Sequence, residues 1–178
     1  MKKLFITSIC ALLFILKISA QEFTPQVKAF ITVDTITVAI KNVTLIDGTG
    51  VTVKYNQTLV FQNDLITQIG DNSNVSIPTE SLIIDGTGKT VIPGLVMLHE
   101  HLFYSKPFEN WFSVGQMTFT FPRLYLAGGV TTMRTGGSIQ PQTDLNVKKW
   151  INEGKMTGPK MDVTGPFIER EGFDIPEL

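Results

Sequence analysis

The sequence predicts an α/β protein whose first half is built from strands and whose second half alternates strands with helices. Between residues 36 and 92, apolar residues alternate with polar ones in short runs, and turns containing Asn, Asp and Gly separate these runs. After residue 93, three apolar or β-branched strands are separated by stretches of helical or loop character, in the order β, α, β, α, β. This order is typical of parallel βαβ units.

Composition places the chain among globular proteins. It has 178 residues, of which 43% are hydrophobic and 17% are charged, and this balance excludes a disordered chain. The formal net charge of -1 excludes a strongly basic nucleic-acid-binding domain, so we expect no nucleic-acid partner. The single cysteine excludes an internal disulfide framework and a cysteine-based zinc cluster.

Residues 1–20 are typical of a secretory signal peptide that is cleaved after Ala20. Lys2 and Lys3 precede a largely apolar run at residues 4–16, which is shorter than the about 20 apolar residues that span a membrane. An uncleaved membrane anchor is the alternative. Cleavage removes three lysines and the cysteine and leaves 12 basic and 16 acidic residues, a balance of -4. We therefore expect an exported protein, periplasmic or secreted, with no stable membrane anchor after cleavage.

A lead-in at residues 21–35 precedes the predicted strands of the first half. These strands are predicted at residues 36–45, 51–55, 59–61, 65–69 and 82–84. Asn63 and Asp64 tolerate left-handed backbone geometry, so they predict a tight hairpin. The phrase Ile-Asp-Gly-Thr-Gly occurs at residues 46–50 and again at 84–88. Because neither copy precedes a helical pattern, both are interpreted as turns at strand ends and not as phosphate-binding loops.

The second half begins with an apolar strand at residues 91–101, whose continuous apolar character predicts burial on both faces. Residues 110–127 are expected to be mainly helical or loop-like, with Pro122 as an interruption. The remaining expectations are a strand at 130–133, a helix from an N-cap at Thr143 or Asp144 to Asn152 with Gly154 as its stop, and a strand at 161–164.

His99 and His101 are the only histidines, and they stand two residues apart at the end of the predicted apolar strand. Because side chains alternate along a strand, both imidazoles should point to one face and Glu100 to the other. Two neighbouring imidazoles can bind one divalent metal such as zinc. The alternative is a chance pair that only forms hydrogen bonds near the surface. The position at the start of a βα series favours the metal site.

Taken together, these motifs resemble the amidohydrolase superfamily, in particular its imidazolonepropionase-like and prolidase-like metal-dependent hydrolases. Residues 84–95, IDGTGKTVIPGL, followed by HEH at 99–101, resemble the start of the barrel in that branch. Residues 129–137, GVTTMRTGG, resemble its second strand, and residues 158–166, GPKMDVTGP, resemble its third. The strands of residues 36–92 resemble its N-terminal β-sandwich segment.

The resemblance implies a β-sandwich segment at residues 36–92 and, at residues 93–178, the first three βα units of a (β/α)8 TIM-type barrel that is incomplete in this chain. It implies that His99 and His101 are metal ligands, in a complete enzyme that holds one or two divalent ions, usually zinc. In such enzymes metal-activated water hydrolyses amide, cyclic amide or peptide bonds of small molecules or short peptides.

Two further residues are candidates for substrate binding. Arg134 suits bidentate pairing with a substrate carboxylate, although an ion pair that ties the strands together is the alternative. Tyr104 follows the strand that carries His99 and His101. Its side chain either lines the substrate pocket or packs against neighbouring residues. The chain departs from the family pattern at Met97 and Thr135, where the family often has aspartates.

The length after residue 93 limits what this chain does alone. A (β/α)8 barrel takes about 250 residues, and the family's further ligands, a lysine or equivalent, two histidines and an aspartate, come from later strands. No histidine follows His101, so no catalytic residue is identifiable in this chain. We therefore predict the N-terminal part of an exported metal-dependent amidohydrolase, inactive by itself and completed by a missing C-terminal part. The alternatives are a non-catalytic exported β-rich binding protein and one half of a split hydrolase whose other half is a second chain.

Overall fold

The computed structural model of the protein describes residues 22–105 and 114–168, so the predicted signal peptide lies outside the described residues. A four-residue helix, α1 (Pro25–Lys28), precedes the first strand. The backbone N–H of Thr24 donates to the carbonyl of Gly154 over 3.0 Å, which ties this segment to the second half of the chain. Within the described ranges, no helix has the length and apolar character needed to cross a membrane.

The first sheet has five strands: β1 (Thr37–Leu45), β2 (Lys54–Gln62), β3 (Leu65–Asp71), β4 (Leu82–Asp85) and β5 (Thr90–Val91). Their order is β3-β2-β1-β4, with β5 also paired to β1. Both β1–β2 and β2–β3 are antiparallel, whereas β4 and β5 run parallel to β1. The buried side chains of Val43, Leu45 and Leu59 form the apolar core of this sheet.

The hairpin predicted at Asn63 is confirmed, since β2 and β3 pair on either side of it and Asn63 has a φ of 55°. The separate strands predicted at residues 51–55 and 59–61 are wrong, because the single strand β2 begins at Lys54 and continues through Gln62, and residues 51–53 lie outside it. Asn56, with a φ of 54°, interrupts the apolar pattern there without ending the pairing with β1.

The repeated Ile-Asp-Gly-Thr-Gly phrase forms the same turn at both positions, as predicted. The backbone N–H of Thr49 donates to Asp47 Oδ1 over 3.1 Å, and that of Thr87 donates to Asp85 Oδ1 over 3.1 Å. Hydrogen bonds from Lys54 and Thr49 hold the pKa of Asp47 well below its usual range. These carboxylates therefore close the turns at the two strand ends.

The second half contains the strands β6 (Leu95–Glu100), β7 (Phe103–Ser105), β8 (Val114–Gln116), β9 (Val130–Thr135) and β10 (Lys160–Asp162), with the helices α2 (Thr120–Ala127) and α3 (Pro141–Asn152). A three-stranded parallel sheet has the order β10-β9-β6, as the alternation of strands and helices predicts. The strands β7 and β8 form a separate antiparallel pair. Six buried residues fill the core between sheet and helices: Leu102, Val130, Met133, Val147, Met156 and Met161.

Two predictions about the helices need correction. Pro122 does not interrupt the helical stretch but lies in the first turn of α2, where a backbone N–H has no acceptor within the helix. The helix α3 begins at Pro141, not after an N-cap at Thr143 or Asp144, because proline fits the first helical position. Its end at Asn152, followed by Gly154 with a φ of 69°, is as predicted.

The apolar stretch at residues 91–101 is not one buried strand. It is divided between β5, which joins the first sheet, and β6, which joins the second. Val96 is 58% exposed and Leu98 is 72% exposed. Among the described residues, β6 pairs only with β9, so its other edge and one face are left uncovered.

Candidate metal centre

The two histidines lie together at the carboxyl end of β6. Their ring centroids are 5.2 Å apart and their ring planes are inclined by 81°. Both imidazoles therefore lie on the same side of the strand, as the alternation of side chains predicts. Glu100 lies between them in the sequence, and its carboxylate accepts a hydrogen bond of 2.7 Å from the hydroxyl of Tyr125 on α2.

A backbone carbonyl and two aromatic rings orient His101. Its Nδ1 lies 3.3 Å from the carbonyl oxygen of Gly137. Because a carbonyl oxygen only accepts, this contact assigns the proton to Nδ1 and leaves the lone pair of Nε2 free for a metal. The ring also packs against Phe103 at 4.6 Å and Phe167 at 6.0 Å between centroids.

Two glycines after β9 let the backbone approach these rings. A Cβ atom on Gly136 would lie 2.4 Å from Cδ2 of His99, and a Cβ on Gly137 would lie 2.6 Å from Cε1 of Phe167. Gly137 also has a φ of 116°, which side chains disfavour. The Gly-Gly pair therefore fixes where His99 and Phe167 sit.

A pair of threonines ties the loop after β9 to the end of β10. The backbone N–H of Thr164 donates to Thr135 Oγ1 over 2.8 Å, and the N–H of Gly137 donates to Thr164 Oγ1 over 2.9 Å. The two hydroxyl oxygens are 3.0 Å apart. Thr135 thus positions the backbone of Thr164 through its hydroxyl.

A buried carboxylate lies behind the same loop. Asp144 is 2% exposed, and its Oδ2 accepts a hydrogen bond of 2.5 Å from Ser138 Oγ. Its Oδ1 has no hydrogen-bond partner among residues 22–105 and 114–168. Burial raises the pKa of Asp144, while the Ser138 hydrogen bond and the electrostatic effect of the nearby His101 ring oppose that rise.

The phenol of Tyr125 keeps its hydroxyl proton at neutral pH. Burial raises the pKa of this phenol far above its ordinary value, and the hydrogen bond and negative charge of Glu100 add to the rise. The Tyr125 oxygen also lies 3.1 Å from the carbonyl oxygen of His101. The hydroxyl of Tyr125 therefore lies within hydrogen-bonding distance of both the Glu100 side chain and the His101 backbone.

The two candidate substrate-binding residues, Arg134 and Tyr104, lie on β9 and β7. The Nε of Arg134 lies 3.7 Å from Asp162 Oδ2, across the β9–β10 pairing, and the Arg134 side chain is 57% exposed. This geometry corresponds to the strand-tying alternative, and it leaves N–H donors of the guanidinium accessible. Tyr104 lies in β7, and its side chain falls outside the described part of the chain.

The donor set fits a metal only in part. Two imidazoles with a free ring nitrogen suit zinc, yet no group of three or more His, Cys, Asp and Glu residues that could hold a metal occurs in residues 22–105 and 114–168. The residues around the histidines that sequence reasoning missed are Phe103, Tyr125, Ser138, Asp144, Thr164 and Phe167. The glycine pair at 136–137 was the one local signal of close packing there.

An enamidase and two solved structures are among the proteins similar to this chain, whereas no protein-family model matches its sequence. The enamidase of Eubacterium barkeri is 36% identical over 81 residues, which are 46% of this chain and 20% of the enamidase. A putative prolidase from Bifidobacterium longum is 29% identical with a TM-score of 0.61, covering 80% of this chain and 34% of the prolidase. A Xaa-Pro dipeptidase with bound methionine in its active site is 25% identical with a TM-score of 0.64, covering 74% of this chain and 34% of the dipeptidase.

This chain spans 20% of the enamidase and about a third of each of the two solved structures. These similarities support the resemblance to the amidohydrolase superfamily, and this chain corresponds to part of the length of the proteins it resembles.

Proposed function

We propose that this chain is the N-terminal part of an exported, metal-dependent amidohydrolase that cleaves C–N bonds in small molecules or short peptides. The observation that carries the proposal is the His99–His101 pair, 5.2 Å apart at the carboxyl end of a parallel strand. A prolidase, a Xaa-Pro dipeptidase and an enamidase among the similar proteins support this reaction class. In this account the two sheets are a β-sandwich segment and the first three βα units of a (β/α)8 barrel.

His99 and His101 would hold a divalent ion, and their nitrogen donors favour zinc. When bound, the ion would supply a nucleophilic hydroxide from water near neutral pH. The Gly137 carbonyl keeps the proton of His101 on Nδ1, and Phe103 and Phe167 pack against that ring. Catalytic zinc normally needs three protein ligands, so a further ligand would come from outside the described residues.

Arg134 would bind a carboxylate of the substrate. Its contact with Asp162 is 3.7 Å long and both side chains are exposed, so the guanidinium can exchange this partner for a substrate group. A bidentate carboxylate contact would orient a peptide or amino-acid derivative relative to the histidines.

A split hydrolase completed by a second chain is the second candidate. The uncovered edge of β6, with Leu98 72% exposed, favours a segment that completes the sheet. An unpaired strand edge with apolar side chains is prone to association. We expect the isolated chain to be inactive, since its described residues supply only the histidine pair.

The test uses the endogenous protein and the isolated 178-residue chain. Amine release from Xaa-Pro dipeptides and small cyclic amides is measured with and without the zinc chelator 1,10-phenanthroline, together with the intact mass of each active species. We expect turnover by the endogenous protein that the chelator abolishes and zinc restores, and none by the isolated chain. A co-purifying second chain in the active species would support the split form. Chelator-resistant turnover, or the absence of turnover on every amide, would refute the proposal.

A further inference from the structure

A cavity lies on a face of α2 that is separate from the histidine pair. Thr120, Arg123, Leu124 and Ala127 recur at the spacing that places residues on one helix face. Together with Phe30 and Thr157, this face lines a cavity of about 520 Å³. Tyr125, whose hydroxyl contacts Glu100, is not among the residues that line it.

Two aromatic rings hold the guanidinium of Arg123. Its Cζ lies 5.0 Å from the centroid of the Phe30 ring and 5.7 Å from that of Phe119. Such cation–π contacts fix the orientation of the planar guanidinium without using its N–H donors. Within residues 22–105 and 114–168, the N–H donors of Arg123 are therefore available to a ligand.

The cavity contains polar atoms that lack partners. Arg123 Nε and Thr157 Oγ1 are buried and form no hydrogen bond within residues 22–105 and 114–168. None of the ion pairs between described residues includes Arg123. A buried guanidinium N–H beside apolar walls is unfavourable without an acceptor, so the buried Nε of Arg123 favours an anionic occupant that accepts a hydrogen bond from it.

We propose that this cavity binds a small monocarboxylate with an apolar body. The carboxylate pairs with the guanidinium of Arg123 and accepts a hydrogen bond from the hydroxyl of Thr157. The apolar body lies along Leu124, Leu126 and Ala127. The cavity volume is within the range of small-molecule sites, roughly 300 to 1,000 Å³. A single cation among apolar walls suits a monoanion better than a phosphate. The site is independent of the proposed hydrolase reaction.

Decanoate is the probe, titrated into the full chain by isothermal titration calorimetry, with decanamide and decylamine as neutral and cationic analogues. We expect one saturable decanoate site and at least about 10-fold weaker binding of both analogues, because each lacks the charge-assisted hydrogen bonds. Arg123→Gln should weaken decanoate binding about 10- to 100-fold, and Thr157→Val about 5-fold. Lys149→Gln, which removes an exposed cation on α3, should leave it unchanged.

Circular dichroism and thermal unfolding establish that each variant is folded. Thr157→Val conserves side-chain shape, so it tests the site even if Arg123→Gln fails to fold. Three results would each overturn the proposal: no saturation by decanoate, equal affinity for decanoate and decanamide, or wild-type affinity in the folded variants. The absence of saturation by decanoate is also the result expected if an acidic segment of polypeptide, and not a small molecule, fills the cavity.

Discussion

The imidazole of His99 lies directly against the backbone of Gly136, at a distance that leaves no room for a side chain. A Cβ atom on Gly136 would approach Cδ2 of the ring to 2.4 Å. Because Gly136 follows β9 and His99 lies on β6, this contact joins the ends of two neighbouring parallel strands. The position of the candidate metal ligand is therefore set by backbone packing.

Gly136→Ala should displace the His99 ring and weaken metal binding. Overpacking of this kind costs about 1–3 kcal/mol of the free energy of unfolding, and misplacing a ligand lowers zinc affinity about 10- to 100-fold. Urea unfolding and zinc titration measure the two effects. Gly165→Ala is the matched control, since a Cβ there has no atom within 4 Å. Equal zinc affinity in the two variants would show that the contact with Gly136 does not position His99.

Thr135→Val should destabilise the protein by about 1–3 kcal/mol, because the backbone N–H of Thr164 loses its acceptor in a buried environment. The free energy of unfolding from urea titration measures the loss. Thr131→Val removes an exposed hydroxyl from the same strand and serves as the control. A loss of similar size in both variants would contradict the role of the threonine pair.

Asp144→Asn should change how stability depends on pH. Burial raises the pKa of Asp144 in the folded state, so wild-type stability from this group is complete below the ordinary carboxyl pKa of about 4 and is lost as pH rises through the raised value. Unfolding free energies measured from pH 3 to 7 should therefore fall for wild type relative to Asp144→Asn. Ser138→Ala, which removes the hydrogen bond that opposes the rise, should steepen that fall. Parallel pH profiles for wild type and Asp144→Asn would refute this account.

Tyr125→Phe should lower the free energy of unfolding by about 1.5–3 kcal/mol, because the half-buried Glu100 carboxylate loses its hydrogen-bond donor. The raised pKa of Tyr125 adds a pH effect: its contribution is complete below about 10, the ordinary phenol pKa, and is lost at higher pH. Urea unfolding at pH 8 and pH 10.5 measures both. Tyr55→Phe alters an exposed tyrosine and is the control. If the two phenylalanine variants are equally stable, Tyr125 does not anchor Glu100.

Much of the architecture could be predicted because local patterns determine it. The hairpin at Asn63, the Asp-Gly turns and the parallel order of β6, β9 and β10 follow from turn chemistry and from the alternation of strands with helices. The shared face of His99 and His101 follows from the two-residue period of a strand.

Burial and tertiary contacts could not be read from the sequence. A continuous apolar sequence occurs both in strands that are covered on both faces and in strands with an open edge. The sequence around Leu98 therefore did not indicate that its side chain is exposed. Thr135 and Thr164 are 29 residues apart, and their contact exists only because β9 and β10 are neighbours. Asp144 is typical of an N-cap, but its carboxylate instead binds Ser138 within the fold.

The most direct test of the central claim is a zinc titration of the wild-type chain, His99→Ala, His101→Ala and the double variant by isothermal titration calorimetry. If both imidazoles bind one ion, wild type takes up one zinc at this site. Each single variant then loses most of the affinity, and the double variant loses little more, because coupled residues are not additive. Wild-type affinity in either single variant, or losses that add in the double variant, would mean that the two rings do not share a metal.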